Sequence, residues 1–407
     1  MIVRRNLRNY VTVKKLVVSL LSLSLIFSTQ SATAAPKPIV VKEMVAINLA
    51  SPVTVDTKML VIGSSIVLLN DSSVRAIGAD GVEKWRLALT QGAASIASAL
   101  AADSAGNIWI AGSSAGAPVV TPSPTPTVAP INPDNVLVDP KVPLRSDLTV
   151  ATIWKISNTG ALISTYTAEP LMALLINSIA INAKGITLGG VCSRDGGNSG
   201  VIINADLEGK FSKPIFLGVS DTSIDVVVLG TDSSVYAIGN STETLAGKKV
   251  AGYRDGIIAK YSSTGKLSAL VRSSAAKARR EWLSATNSLF LTGPVQTGQK
   301  FESALTKFAT NLSPTWTYRF ASTGATYSAL GPNGSHFAAF ASASAIKGIT
   351  NWKPSRPSAL LLTFDSKGAL VDAKSATGTP LALGYSKDLG IVLMSTGQTA
   401  VSIFRLT

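Results

Sequence analysis

The chain has 407 residues, 46% of them hydrophobic and only 15% charged, with a formal net charge of +14. That length fits two or three domains or one large all-β domain, and abundant Gly, Ser, Thr, Val and Ile without a long helical period favour β. A single cysteine, Cys192, excludes an intramolecular disulfide, and a single histidine, His336, excludes a multi-histidine metal site.

At the N-terminus, Arg4, Arg5, Arg8, Lys14 and Lys15 precede an apolar run from Leu16 to Phe27, and Ala32-Thr33-Ala34 supplies a small-x-small pattern. This is the pattern of a secretory signal peptide over residues 1–34. The apolar run, about a dozen residues, is short of the roughly 20 that cross a bilayer core as a helix. Arg4-Arg5 lacks the rest of a twin-arginine motif, so the general secretory route is expected, with cleavage near Ala35. Cys192 lies too far along the chain to carry a lipoprotein anchor, and Phe404 to Thr407 form no hydrophobic tail. The expected product is secreted or associated with the cell envelope, without a stable membrane anchor.

Residues 35–407 read as one repeat domain. Ile39 to Asn48 is a strand with no unit of its own. After it, units of about 40 to 45 residues start near 57, 95, 176, 223, 280, 325 and 379, the spacing of propeller blades. Each unit contains an inner strand, then a Gly-flanked strand such as Ile108 to Gly112 or Val235 to Gly239, then a hairpin. The hairpins turn at Ala79-Asp80-Gly81, Asn158-Thr159-Gly160, Leu207-Glu208-Gly209, Ser263-Thr264-Gly265, Asn311-Leu312-Ser313 and Ser366-Lys367-Gly368. Such turns need residues that tolerate positive φ. Strands such as Asp255 to Tyr261 are apolar on both faces and need cover on both, which neighbouring blades provide. A proline-rich insertion at 114–147 holds eight of the 19 prolines and is expected to be an extended loop. The seventh unit stops after Ala400 to Leu406, so Ile39 to Asn48 is expected to add its missing strand and close a ring.

The hairpins, the Asp103-x-x-Gly106-Asn107-x-Trp109-x-x-Gly112 stretch and the incomplete last unit resemble bacterial secreted β-propellers across essentially all of the mature chain. Ala76 to Trp85 also resembles the repeat of quinoprotein-type propellers, in which a turn glycine is followed by a packed tryptophan. The resemblance implies architecture: an all-β, seven-bladed β-propeller with four-stranded antiparallel blades, the last closed by the N-terminal strand. Trp85 alone stands at that spacing, so no quinone or other cofactor is expected.

His336 falls on a strand and reads as structural, and Cys192 as a small buried residue. Gly265-Lys266 lacks the rest of a phosphate loop, Asp195-Gly196-Gly197 lacks the spaced acids of a calcium loop, and the sialidase-type aspartate box is absent. Asp206, Glu208, Asp232 and Asp365 sit in turns, where acids are ordinary, although paired carboxylates can be assembled across blades. Loops between second and third strands, at 114–147, 192–199, 240–254, 294–301 and 342–356, share one rim with the connections between blades, and function concentrates on such loops. The proposed ligand-binding set on this rim is Arg194, Lys248, Lys249, Arg254, Arg279, Arg280, Trp352, Lys353 and Arg356, with Lys277, Lys300 and Lys347 adding charge. Trp352 is expected to present an aromatic surface beside Lys353.

The sequence therefore points to a secreted, non-catalytic, monomeric binding or scaffold propeller. Its expected partner is an anionic polysaccharide or another cell-envelope component, and export argues against nucleic acid. The alternative is an extracellular propeller enzyme, a polysaccharide hydrolase or lyase or a degenerate quinoprotein. Two or three carboxylates converging at the channel mouth would favour that alternative.

Overall fold

Apolar runs separated by tight polar turns fold back on themselves as antiparallel hairpins, and seven four-stranded sheets result. The structure, a computed structural model, describes residues 38–70, 72–89, 94–116, 144–194, 197–397 and 400–406. The signal peptide expected at 1–34 and most of the proline-rich insertion lie outside the described residues. The inner strands are Lys58–Ile62, Ser95–Ala102, Leu174–Asn182, Thr222–Leu229, the split pair Ala278–Arg280 and Ser284–Ala285, Thr326–Leu330, and Thr379–Ser386. Each packs on the next, and the seventh packs on the first. The protein is an all-β, seven-bladed propeller, and its blades begin within a few residues of the positions read from the repeat.

The hairpin that organises the repeat shows why its strands are apolar on both faces. Ile257, Ile258 and Ala259 are all fully buried. Ile258 joins a core with Trp282 and Leu291 of blade 5, while Ile257 and Ala259 join Ile202 and Leu217 of blade 3. Each blade thus serves as core for both neighbours.

Two glycine positions set the distance between elements. The first is the hairpin turn. Gly160 adopts φ +88°, and a Cβ there would lie 2.6 Å from the ring of Trp85, which reaches across from blade 1. The Trp85 indole N–H donates to the Asn158 carbonyl at 3.1 Å, so ring and turn are locked together. Tyr166 covers Gly209 and Trp316 covers Gly368 in the same way. The packed Trp85 is therefore one of a series, filled by Tyr166 in blade 2 and by Trp316 in blade 5, the latter also four residues after its positive-φ turn residue, Leu312 in place of glycine. In blade 5 the turn residue is Leu312, also at positive φ, and its side chain is buried beside Trp282 and Phe308.

The second position is in the Gly-flanked strand. Inner strands of blades 2, 3 and 4 skip one residue of register at Ser98, Asn177 and Asp225. Such a bulge bends the strand and pushes its backbone toward the partner. Gly112, Gly190 and Gly239 receive it: a Cβ on any of them would lie 2.0 to 2.1 Å from an inner-strand carbonyl oxygen. The bulged side chains stitch the ring, since Ser98 Oγ donates to the Ile176 carbonyl and Asn177 Nδ2 to the Ile224 carbonyl of the following blade.

The Asp103 stretch is also structural. Its carboxylate accepts from the Ala105 and Asn107 amides, the Asn107 side chain and the Trp109 indole, and Lys155 lies over Trp109 at 4.7 Å.

Ring closure differs from the expected single strand. Ile39–Val40 pairs parallel with Ile349–Thr350, Lys42–Glu43 pairs parallel with the edge of blade 6, and only Val45–Ala46 pairs antiparallel with Val401–Arg405 of blade 7. A strap that must step from one blade to the next cannot keep one register. Two of the expected long loops are also extended hairpins: strands run to Arg194 and from Gly197 in blade 3, and to Thr297 and from Lys300 in blade 5. Gly298, at φ +59°, makes the second of these turns possible.

Candidate functional site

The loop at 242–254 of blade 4 is held by charges that hydrophobic packing could not position. Asp255 is fully buried and accepts from the Ala251 and Gly252 amides, both at 3.0 Å. Arg272, 7% exposed, meets Asp255 at 3.2 Å and donates to the carbonyls of Lys248 and Glu243. The Glu243 carboxylate fills a nest of successive amides from Val219, Ser220 and Asp221 and accepts from Thr222 Oγ1 at 2.7 Å. Burial opposes its ionisation, yet the hydrogen bonds from Thr222 and these amides hold its pKa below the ordinary carboxylate value.

A second network lies at the inner end of the same loop. Arg254 donates to Asn240 Oδ1 at 2.9 Å and meets Asp221 at 3.3 Å and Glu281 of blade 5 at 3.7 Å. Asn240 Nδ2 donates to Asp225 Oδ2 at 2.8 Å, and Ser223 Oγ donates to Asp225 Oδ1 at 2.7 Å. Burial pushes the Asp225 carboxyl up to about 6, with Glu281 adding to the shift and Ser223, Asn240 and Arg254 opposing it.

The residues expected from sequence fall into three groups. Several are engaged within the fold. Arg254 bridges the carboxylates just described, and Arg279 pairs with it along the backbone. Lys248 Nζ donates to the Leu270 carbonyl at 2.7 Å, and the Arg194 guanidinium lies 4.7 Å over Phe216. Two are buried, contrary to a surface role. Arg280 stacks 4.4 Å over Trp282, and burial, with Arg319 nearby, lowers its pKa to about 10. Trp352 is only 7% exposed and packs with Phe340 and Leu360, so most of its ring is core and not the open aromatic surface expected beside Lys353. Asn351, at φ +61°, reverses the chain just before it.

The third group is uncommitted. Lys249, Lys353 and Arg356 are exposed, as are Lys277 and Lys347, and none forms an ion pair among the described residues. Lys300 differs, meeting Glu302 at 2.9 Å. Sequence reading missed Asp221, Asp225, Asn240, Glu243, Asp255, Arg272 and Glu281. Only Asp225 carried a signal, a carboxylate inside the otherwise apolar Ile224 to Leu229 run.

Other chemistry is muted. His336 is buried against Phe290 and Trp316, and burial, with Lys307 nearby, lowers its pKa to about 4. Burial raises the Cys192 thiol to about 11. No group of three or more His, Cys, Asp or Glu among the described residues is arranged to hold a metal. A cavity of about 350 Å³ opens where the strap crosses from blade 6 to blade 7, lined by Glu43 and Met44 of the strap, Trp352 and Lys353 of the blade 6 loop, and Phe404.

No family model matches the chain, and no curated protein matches its sequence. Solved structures share its architecture at low identity. BamB from Moraxella catarrhalis is 11% identical over 89% of this chain and 100% of its own, at a TM-score of 0.46. The Neurospora crassa Pan2 WD40 domain is 9% identical over 91% and 94%, at 0.49, and the Dos1 propeller 8% over 84% and 75%, at 0.46. The likeness concerns the fold alone.

Proposed function

We propose that this protein is a secreted, non-catalytic propeller that binds an anionic polysaccharide or a related cell-envelope polymer through its long-loop rim. In this reading residues 1–34 are the export signal and leave no anchor behind. The observation that carries it is the set of exposed cations without ion-pair partners, Lys249, Lys277, Lys347, Lys353 and Arg356, on the loops and connections of blades 4 to 6. On the opposite rim, Lys210 shares its turn with Asp206 and Glu208, and Lys367 shares its turn with Asp365. Uncompensated charge on one face attracts a polyanion, and exposed charges of this kind are screened beyond about 8 Å at physiological salt.

The hydrolase alternative would draw on Asp225 and Glu281. It has less support, because both oxygens of Asp225 are already engaged by Ser223 and Asn240, and Arg254 ties Glu281 and Asp221 into one network. Such a network serves to position a loop.

The test replaces Lys249, Lys277, Lys347 and Arg356 together by Ser and leaves Lys353 in place. Exposed substitutions of this kind cost less than about 0.5 kcal/mol each, so the fold should persist. Binding to an acidic polysaccharide at low salt should fall by roughly tenfold or more, a loss of at least about 1.4 kcal/mol. A control with Lys210, Lys266 and Lys367 replaced should bind as the unmodified protein does. Equal binding by both variants, or no salt dependence, would reject the proposal.

A further inference from the structure

The cavity beneath the strap goes beyond the rim reading and stands apart from the committed network of blades 4 and 5. There, nearly every polar side chain is spent on another. Here, Glu43 and Lys353 line one space of about 350 Å³ with opposite charges, yet neither forms an ion pair or side-chain hydrogen bond among the described residues. Asn351, at the lip, has its amide equally uncommitted. The walls between these groups are mixed: Met44, Phe404 and Trp352 contribute buried apolar surface, and Ser358, Ser375 and Thr377 contribute polar groups. The Trp352 indole N–H is buried without an acceptor, as are those of Trp282 and Trp316. Small-ligand sites combine apolar walls with a few convergent polar groups, and their volumes begin near 300 Å³.

We infer that this cavity binds a small zwitterion with an apolar body, of the α-amino-acid class. The ligand's ammonium faces Glu43, its carboxylate faces Lys353 and Asn351, and its side chain lies against Met44, Trp352 and Phe404. Glu43 and Lys353 are exposed at the mouth of this space, so each ligand charge adds its own charge-assisted contact, and a ligand carrying both gains two where a singly charged one gains one. Because the site is shared by strap and blades, an occupied cavity also holds the ring closed and raises its stability by mass action.

The experiment measures binding of L-phenylalanine, phenethylamine and 3-phenylpropanoate to the purified intact protein by calorimetry, with thermal shift as a second readout. L-Phenylalanine should bind at least roughly tenfold more tightly than either singly charged analogue and should alone raise the melting temperature clearly. Glu43→Gln should reduce phenylalanine affinity to that of 3-phenylpropanoate and leave 3-phenylpropanoate binding unchanged. Lys353→Met should do the converse with phenethylamine. The fourfold rim variant retains Lys353 and should bind phenylalanine as the unmodified protein does, whatever becomes of its polysaccharide binding. The inference is overturned if phenylalanine gives no binding, binds no better than the analogues, or binds both single variants as well as the unmodified protein.

Discussion

Blades 2 to 4 and the seam joining blades 6, 7 and 1 close the same ring by different means. In the first region the inner strands bulge at Ser98, Asn177 and Asp225, and a glycine on the adjacent strand admits the displaced carbonyl. Side chains at two of these bulges then donate to the next blade. At the seam the inner strand of blade 6 runs without a register shift, that of blade 7 shifts at Leu381 opposite Met394 and Ser395 with no glycine to receive it, and Ser386 Oγ of blade 7 donates to the Gly63 carbonyl of blade 1 at 2.7 Å. No hairpin supplies the outer strand of blade 7; of the three two-residue pairings along Ile39 to Ala46, two hold blade 6 and only Val45–Ala46 adds to blade 7. Where the inner strand bulges, it approaches its partner within the same blade until only glycine fits. Where a separate strap is laid across the blades, a gap remains, and the uncommitted charges of Glu43 and Lys353 line it.

The sharpest way to break this comparison is to remove the strap. Deleting residues 38–46 loses Met44, which is buried and donates its amide to the Ser375 carbonyl at 2.8 Å, along with the short pairings on both sides. A buried methionine contributes about 2–5 kcal/mol and each lost hydrogen bond about 1 kcal/mol. A loss on the order of 5 kcal/mol is therefore expected, with aggregation through the bared edge of blade 7. Chemical denaturation reads this directly. An unchanged midpoint would mean that blades 7 and 1 hold the ring without the strap.

A smaller effect is expected from Gly239→Ala in the bulged region. Its Cβ would meet the Ser223 carbonyl at 2.0 Å, and neither strand can move without disturbing the stitching to the next blade. Overpacking of this kind costs about 1–3 kcal/mol, and contact with backbone puts this case at the upper end. Gly298→Ala is the control, since that residue has positive φ but nothing within 4 Å of the added Cβ, and it should cost only about 1 kcal/mol. Gly239 has no positive φ, so equal midpoints for the two variants would show that the strands relax around the added Cβ and that close approach is not what requires glycine there.

The repeat was legible because local rules produce it. Turn glycines, strands apolar on both faces and an unfinished last unit all leave marks within a few residues of one another. Closure was legible in outline, but the division of Ile39 to Ala46 into three pieces depends on where Ile349, Lys374 and Arg405 stand in the folded ring. The commitment of each cation was less legible still. Arg254 finds Asp221 from 33 residues away, and Arg272 finds Asp255 across a hairpin. Trp352 was misread because charged neighbours suggested a surface, whereas the positive φ of Asn351 turns the ring into the core. Asp225 was the one site residue that composition could have flagged, since a carboxylate among Ile, Val and Leu on a strand requires a reason.

That carboxylate provides the gentlest test of the bulged region. Asp225 stands at the register shift where Ser98 and Asn177 stand in the preceding blades, and burial raises its pKa from 3.8 to about 6. A folded-state pKa above the unfolded value means that the protonated form favours folding. The contribution is fully present below about pH 4 and is lost as pH rises through about 6. Asp225 is half-buried, so the contribution amounts to on the order of 1–2 kcal/mol. Asp225→Asn removes the titration. Its changed hydrogen bonds to Ser223 and Asn240 add an offset that does not vary with pH, and carboxylates elsewhere, such as Glu243, titrate equally in both proteins. Denaturation of both proteins from about pH 4 to pH 7 should therefore show the variant gaining on the unmodified protein by about that amount. Parallel curves would show that Asp225 is accommodated as an ordinary carboxylate, and that its place in the ring imposes no electrostatic cost.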